Sequence, residues 1–383
     1  MRIVQLTTDA REHYKDYKNP VPFFGAAPAA LLEGFARLPD VEVHVVSCTQ
    51  VPMESPEKLA SNVYFHSVLV PKIGWMRTLY QGCIRATRNK LCDIQPDIVH
   101  GQGTERDCAI SAVFSGFPNV LTIHGNMAEM ARLFRPRLGS YRWLAARLEN
   151  FTLPRAAGVF CNSAYTESLV RPRARQTWRV ANPLRKAFFE ALPADSTRLS
   201  PPIILNIGVI SERKRQVELL DVVQTLEQRG LKFQFQFIGD CKPDTAYGAA
   251  FLKKIKPLET FGCARYVGPL TEQQLIRHLD AASALVHFPS EEAFGLVVAE
   301  ALARNLKLFG ARVGGIQDIV DGVPEAQLID WRDWDGLTAA LAVWLRQDRS
   351  ANHAAQVMRE RYHPAIIARR HVEIYRDVLN NGR

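Results

Sequence analysis

The sequence predicts an α/β protein built from two Rossmann-like domains. Short apolar runs alternate with longer helical patterns along the chain, which is typical of βαβ units with parallel sheets. A chain of 383 residues is long enough for two domains that each bury their own core. A fresh series of strands begins at Ile203, after a polar segment that contains prolines. We therefore place the domain boundary near residues 190–200.

Five apolar runs in the first half are candidate strands. They are Arg2–Leu6, Val41–Ser47, Ile94–His100, Val120–Ile123 and Gly158–Cys161. A helical pattern, Ala29–Leu38, separates the first two, and Pro28 suits an early position in that helix. Ser163 is placed to cap a helix that begins at Ala164.

The second half repeats this alternation. Its candidate strands are Ile203–Gly208, Phe233–Ile238, Arg265–Leu270 and Ala284–Phe288, with a helix starting at Val217 after the first of them. The C-terminal stretch, Pro364–Leu379, has a helical pattern.

Composition indicates a soluble globular protein, with 47% hydrophobic and 23% charged residues. No apolar run approaches the roughly 18 residues of a membrane span, and the N-terminus is too polar for a signal peptide. Seven cysteines without a C-x-x-C pair indicate free thiols in a reducing compartment. We therefore expect a cytoplasmic protein.

The net charge of +9 lies almost entirely in the first half. Residues 1–190 hold 24 Lys and Arg against 16 Asp and Glu, and residues 191–383 hold 24 against 23. Because the chain has no recognisable nucleic-acid motif, we expect no nucleic-acid partner. An anionic membrane surface or a phosphate-bearing acceptor explains the basic excess better, with peripheral contact at the inner face of the cell membrane.

Residues 132–155 combine many arginines with aromatic side chains. The aromatic residues are Phe134, Tyr141, Trp143 and Phe151. Such a stretch can lie in a membrane interface, or it can be a solvated helix with one side in the core. The sequence leaves both interpretations open.

The stretch Phe288–Ala303 carries the strongest functional pattern, with two carboxylates, Glu292 and Glu300, eight residues apart. If a helix began at Glu292 the two would share a face, and if its first turn is a loop Glu292 lies beside the helix N-terminus. Either geometry leaves free N–H groups around Phe294 to Val297, which suit an anion. An unpartnered acid among apolar residues is costly, so a ligand with phosphates and hydroxyls, such as a nucleotide sugar, fits better than a solvated helix face.

The pattern P-S-x-x-E-x-F-G-L-V-x-x-E-A-x-A in this stretch resembles the E-x7-E signature of retaining glycosyltransferases of the GT-B fold, the family 4 (group 1) type. The resemblance implies two Rossmann-like domains that face each other across a cleft. Residues 1–190 would bind the acceptor, residues 200–360 the donor, and residues 361–383 would form a helix that returns to the first domain. The implied reaction is retaining transfer of a hexosyl-type sugar from a nucleotide-diphosphate sugar to a glycan or lipid-linked acceptor, without a metal or other cofactor.

The resemblance also assigns site residues. The donor would contact Gly208, Arg213, Lys214, Gly239, Asp240, Val267, Glu292, Phe294, Gly295, Leu296, Val297 and Glu300. Gly25, His100 and His124 would line the acceptor site, and Glu292, Lys214 and His124 would be catalytic. In these roles Glu292 holds sugar hydroxyls, Glu300 the ribose, and Lys214 the leaving phosphate. Val209 stands where the family has an arginine, and the neighbouring Arg213 is a possible substitute.

Independently of the resemblance, His124 follows a strand, and strand ends face the ligand crevice of an open α/β sheet. A histidine there can equally be a packed side chain. No acidic pair suited to a metal ends a strand. Two alternative functions remain open from sequence, a nucleotide-sugar epimerase of GT-B fold and a non-catalytic nucleotide-sugar binding protein.

Overall fold

The structure is a computed structural model that describes residues 1–190, 201–347 and 354–381. The chain divides into two compact units. Unit 1 comprises Met1–Lys186 and Tyr362–Arg383, and unit 2 comprises Ala187–Arg361. The boundary predicted at residues 190–200 falls almost wholly outside the described residues, so it stays a prediction.

Each unit contains one sheet. Unit 1 has β1 (Arg2–Leu6), β2 (Glu42–Thr49), β3 (Lys58–Ala60), β4 (Val63–Leu69), β5 (Ile98–Gln102), β6 (Asn119–Ile123), β7 (Gly158–Cys161) and β8 (Thr177–Arg179). Unit 2 has β9 (Ile203–Ile207), β10 (Gln234–Ile238), β11 (Ala264–Gly268), β12 (Ala284–His287), β13 (Lys307–Ala311) and β14 (Ala326–Ile329). All neighbouring strands pair in parallel except β3 with β4.

Helices connect these strands and cover the sheets. They are α1 (Ala10–Tyr14), α2 (Ala26–Phe35), α3 (Gln81–Ile94), α4 (Asp107–Val113), α5 (Met127–Phe134), α6 (Tyr141–Thr152), α7 (Ala164–Val170), α8 (Gln216–Gln228), α9 (Ala246–Thr260), α10 (Glu272–Ala281), α11 (Leu296–Ala303), α12 (Ile316–Val320), α13 (Trp334–Arg346), α14 (Ala354–Tyr362) and α15 (Pro364–Asn381). Within the described residues, no helix is both long and apolar enough to cross a bilayer.

The strand order of each sheet shows where its ligand crevice is expected. The order is β3-β4-β2-β1-β5-β6-β7-β8 in unit 1 and β11-β10-β9-β12-β13-β14 in unit 2. The order reverses direction between β1 and β5 and between β9 and β12. Ligands of open α/β sheets bind outside the carboxyl ends of the strands at such a switch point. Each unit therefore has one expected ligand position, formed by the loops that follow these strands.

The C-terminal helix α15 belongs to unit 1 and packs against α2, as the family resemblance implied. Gly34 allows the close approach, because a Cβ there would lie 2.3 Å from the carbonyl oxygen of Pro364. Farther along α15, Tyr375 is buried and its ring centroid lies 6.4 Å from that of Phe35.

One predicted strand begins too early. Ile94 is the last residue of α3, and the strand starts at Ile98. Gln95 takes a left-handed conformation at φ 51° and Pro96 follows, so the intervening residues end the helix rather than extend the strand. Strands β3, β4, β8, β13 and β14 are not among the candidate strands.

Candidate active site

Two loops at the switch point of unit 2 meet around Gly208, the residue after β9. Gly208 has φ 147°, and the side chain of Lys214 lies within 3.5 Å of the position its Cβ would take. Gly239, the residue after β10, has φ 142°, and a Cβ there would lie 2.2 Å from the carbonyl oxygen of Gly208. Residues with side chains rarely adopt either conformation, and Gly239 also has no room for a side chain. The two predicted glycines thus make a tight backbone turn that brings Lys214 to the strand ends.

Lys214 forms a largely buried ion pair with Glu292, from the loop after β12. Its Nζ lies 2.5 Å from Oε2 of Glu292. His287, the last residue of β12, places Nε2 3.0 Å from the same oxygen and 3.3 Å from the Lys214 nitrogen. Lys214 and His287, 73 positions apart in sequence, therefore contact the same oxygen of Glu292 at the switch point.

Arg213 adds a second cation to this cluster. Its Nη1 donates to the carbonyl oxygen of Glu291 at 2.8 Å and lies 3.5 Å from a carboxylate oxygen of Glu291 and 3.6 Å from Oε2 of Glu292. Val209, at the position where the family has arginine, is 53% exposed. The Arg213 side chain thus points into the cluster, as a substitute for the missing arginine requires.

Arg215 is directed elsewhere. Its guanidinium carbon lies 5.1 Å from the ring centroid of Trp331 and 4.3 Å from that of Trp334, and it donates to the Trp331 carbonyl. These contacts hold the loop after β9 against the start of α13.

The ionisation of the cluster follows from burial and its charges. Burial lowers the pKa of Lys214, while the charge of Glu292 opposes that shift. Burial by itself would raise the pKa of Glu292, but Lys214, His287 and Arg213 together hold it well below its usual value. Burial and the neighbouring Lys214 lower the pKa of His287 to about 4, so His287 is neutral at pH 7. The cluster therefore presents two cations, with Glu292 ionised.

Helix α11 begins at Leu296, so the first turn after Glu292 is a loop, the second of the two predicted geometries. Gly295 precedes the helix at φ 102°, where glycine is the favoured residue. As at every helix start, the first N–H groups have no partner inside α11, and those of Leu296 and Val297 are among them. Glu300 lies in the middle of α11 and is buried.

The other predicted donor residues surround this cluster less closely. Phe294 is buried, Val267 is half-buried in β11, and Asp240 is exposed. The hydroxyl of Tyr266, next to Val267, donates to the carbonyl of Gly239 at 2.9 Å and so links β11 to the turn after β10. The predicted roles of these residues stay predictions.

His124 lies in unit 1, in the turn after β6. Its Nε2 is 2.9 Å from Oε1 of Gln102, whose amide nitrogen donates to Gln5 at 2.7 Å. Burial lowers the pKa of His124 to about 4. The cavity it lines with Gln102 and Asn182 has room for about one water. His124 therefore supplies a neutral imidazole that is held in place by Gln102.

His100, predicted to contact the acceptor, is a core residue instead. It is 0% exposed, with Nδ1 2.5 Å from the hydroxyl of Tyr375 and Nε2 2.7 Å from that of Thr122. Both ring nitrogens are used inside the protein, so the ring has no atom to offer a ligand. Gly25 is exposed and precedes α2, and a Cβ there would make only an ordinary contact with Pro28.

One group of potential metal ligands occurs within the described residues, and it lies away from the cluster. Cys48, Cys83 and Asp107, all in unit 1, place one ligand atom each within 4.8 Å of the others, and all three are buried.

Two residues of the Lys214–Glu292 cluster were missed by sequence reasoning. His287 and Glu291 both belong to the cluster, and His287 has the same signal that drew attention to His124, a polar side chain at the end of a buried strand. Glu291 gave no signal of its own, because only the folded loop brings it to Arg213.

Solved structures of several glycosyltransferases have the same fold as this chain. Sucrose-phosphate synthase from Thermosynechococcus elongatus matches with a TM-score of 0.76 at 18% identity, over 100% of both chains. HepE from Anabaena, solved with UDP and glucose, matches with a TM-score of 0.72 at 15% identity, over 98% of this chain and 100% of HepE. The lipopolysaccharide outer core galactosyltransferase WaaB matches with a TM-score of 0.68 at 14% identity, over 98% and 100%. At these identities the likeness is one of fold, and it defines the GT-B class.

The family models give the narrower assignment. Residues 189–361 match the model for glycosyl transferases group 1, and residues 29–181 match the model for glycosyltransferase family 4. The chain is a group 1 glycosyltransferase of the GT-B fold. A search of curated proteins gave no significant sequence match.

Proposed function

We propose that this glycosyltransferase moves a hexose-type sugar from a nucleotide-diphosphate sugar, bound at the cluster of unit 2, to a glycan or lipid-linked acceptor with retention of anomeric configuration. The observation that carries the proposal is the buried Lys214–Glu292 pair at the switch point of the unit 2 sheet. This pair places a cation that can bind phosphate beside a carboxylate that can bind sugar hydroxyls. HepE, which shares the fold, has been solved with UDP-glucose.

The charges of the cluster suit the chemistry of such a transfer. As the bond to the leaving group breaks, negative charge grows on the diphosphate and positive charge on the sugar ring. Lys214, Arg213 and the N–H groups at the start of α11 would stabilise the phosphate, and these groups are already in position. Glu292 would accept hydrogen bonds from sugar hydroxyls, and Glu300 from the ribose. His124 would orient the acceptor.

A ligand screen tests donor binding directly. Thermal unfolding of the full chain should shift upward with one class among UDP-, GDP- and ADP-sugars, because a ligand at 100 times its Kd stabilises the folded state by about 2.7 kcal/mol. A positive donor should then be consumed in the presence of acceptor, with the anomeric configuration of the product read by NMR. No shift with any of the three classes would contradict the proposal.

Transfer is expected to be independent of metal. Lys214 and Arg213 supply the positive charge that a bound metal would otherwise bring to the diphosphate. We expect dialysis against EDTA to leave turnover unchanged. Loss of activity that Mg²⁺ or Mn²⁺ restores would show that these two side chains are not sufficient.

A lipid-linked acceptor would bring unit 1 to a membrane surface, and residues 132–142 provide a suitable surface. They span the end of α5 and the start of α6, and Leu133 and Leu138 are 43% and 84% exposed. Four exposed arginines accompany them: Arg132, Arg135, Arg137 and Arg142. Exposed leucines beside arginines suit the interface of an anionic bilayer.

Vesicle binding tests this part of the proposal. We expect the protein to bind anionic vesicles more tightly than neutral ones, and less tightly as salt rises, because charge attraction is screened over about 10 Å at 0.1 M. Changing Arg135 and Arg137 together to Gln should weaken binding about tenfold or more, at about 1 kcal/mol per basic residue near the surface. The matched control changes Arg85 and Arg88, exposed on α3, to Gln and should have less effect. Equal binding to neutral and anionic vesicles would contradict a charged membrane contact.

A further inference from the structure

A concave site lies at the switch point of the unit 1 sheet. Its volume is about 440 Å³, within the range of small-molecule sites. We call it the aromatic pocket; it is lined by Glu12, Lys15, Tyr17, Gln50, Trp75, Met76, Tyr80, Arg106 and Tyr141. These residues come from the segments that follow β1, β2, β4 and β5, and from the first residue of α6. The pocket thus occupies the position where open α/β sheets bind ligands.

The aromatic wall of the pocket is held rigidly. Trp75 donates its ring N–H to the carbonyl of Val70 at 3.0 Å. Tyr80 is 3% exposed and has φ 61°, directly after Leu79 at φ 50°. Two consecutive bulky residues in the left-handed region are strained, and such strain concentrates at ligand sites. Tyr141, the first residue of α6, also lines the pocket and is 44% exposed. Fixed aromatic faces beside polar groups suit the flat apolar face of a sugar ring.

Two cations reach the same pocket. The guanidinium carbon of Arg106 lies 5.2 Å from the ring centroid of Trp75, and Lys15 is exposed at the rim. No carboxylate of the described residues lies within ion-pair distance, 4.0 Å, of either side chain. The lining carboxylate, Glu12, accepts a hydrogen bond from the backbone N–H of Gln50 at 2.9 Å. The lining therefore carries two cations against one carboxylate. The buried Asp107 carboxylate, beside Arg106 in sequence and close enough to interact with it, lies outside the lining.

We propose that the aromatic pocket binds one sugar unit of the acceptor and that this unit carries an anionic group, a phosphate or a carboxylate. The ring packs on the exposed face of Tyr141, and the anion pairs with Arg106 and Lys15. This inference rests on the proposed function, because it names the acceptor class of the same transfer.

Calorimetric titration of the full chain without donor tests the inference. The probes are three hexoses (glucose, galactose, mannose), their 6-phosphates, the corresponding uronates, and inorganic phosphate. We expect at least one phosphate or uronate to bind about tenfold or more tighter than its parent hexose, since hydrogen bonds to charged groups contribute that much. Comparison of the 6-phosphates with the uronates shows whether the pocket prefers a phosphate or a carboxylate.

Two variants locate the binding. Arg106→Gln should abolish the preference for the anionic sugar, and Tyr141→Ala should weaken binding of anionic and neutral sugars alike. The matched control is Arg88→Gln, which removes the same charge from an exposed position on α3 outside the pocket. We expect it to bind as the unchanged protein does.

Three results would overturn the inference: no binding of any sugar, equal binding of anionic and neutral sugars, or inorganic phosphate binding as tightly as the sugar phosphate. Arg106→Gln that behaves like Arg88→Gln would also overturn it. Donor binding, measured on the same samples by thermal shift, separates this failure from failure of the proposed function. A protein that binds donor but no anionic sugar refutes the acceptor class alone.

Discussion

Replacing Lys214 with alanine is expected to lower kcat for sugar transfer by about two to three orders of magnitude. The Lys214 side chain packs against the turn after β9, 3.5 Å from the position that a Cβ of Gly208 would take. It would face the diphosphate, whose negative charge grows as the sugar departs. Removing one preorganised contact to a developing charge typically costs about 2.7–4 kcal/mol of transition-state stabilisation. The donor KM should change less than kcat, because the phosphate carries more charge in the transition state than in the ground state.

The same variant leaves Glu292 buried without its closest cation, and an uncompensated buried charge is destabilising. Thermal unfolding of Lys214→Ala must therefore be measured beside its kinetics. Lys214→Ala combined with Glu292→Gln removes both charges, and should restore stability without restoring kcat. Lys232→Ala, an exposed lysine of unit 2, is the control for a simple change in net charge. A folded Lys214→Ala protein with unchanged kcat would exclude Lys214 from the leaving-group site.

The separate halves of the donor site could be predicted from sequence, but their contact could not. The family resemblance assigned both Lys214 and Glu292, and Glu292 also stood out as one of two carboxylates in a long motif. In the structure Lys214 and His287 both contact one oxygen of Glu292. This contact depends on the order of strands in the sheet, which puts β9 beside β12. Strand order is set by long-range packing, and no local pattern records it.

The residues predicted for the acceptor site show more clearly what the sequence could not predict. His100 ends a predicted strand, but in the structure it lies inside β5, is fully buried and is hydrogen-bonded to Tyr375 of the C-terminal helix. Sequence pattern alone cannot show that a helix 275 residues away fills the space beyond β5. The aromatic pocket was missed for a related reason. Its residues lie in separate connecting segments, each of which looks like an ordinary polar loop when read alone.

Glu292 and Glu300 are expected to affect different kinetic constants. Glu300 would contact the ribose, which is bound equally in the ground state and the transition state. Glu300→Gln should therefore raise the donor KM about ten- to a hundredfold, as expected for a lost hydrogen bond to a charged group, with a smaller change in kcat. Glu292 would hold hydroxyls of the sugar ring, where charge develops during transfer. Glu292→Gln should therefore act mainly on kcat.

The structure adds a second expectation for Glu292. Burial lowers the pKa of Lys214 and the charge of Glu292 opposes that shift, so without Glu292 the pKa of Lys214 falls further. If transfer needs Lys214 protonated, the Glu292→Gln enzyme should lose kcat at a lower pH than the unchanged enzyme as pH rises. Glu300→Gln should leave the alkaline limb of the profile in place. Glu212→Gln, an exposed acid in the loop after β9, is the matched control.

Steady-state kinetics across pH on folded Glu292→Gln, Glu300→Gln and Glu212→Gln proteins provide the measurement. A loss of kcat in Glu292→Gln with an unmoved alkaline limb would mean that Glu292 acts on the sugar alone, and that the pair with Lys214 does not maintain its proton. Wild-type kcat and KM in both Glu292→Gln and Glu300→Gln would mean that the two carboxylates are not part of the donor site. The distinction follows from the 2.5 Å contact, because a carboxylate paired with Lys214 that also held the sugar would act on both charges of the transition state.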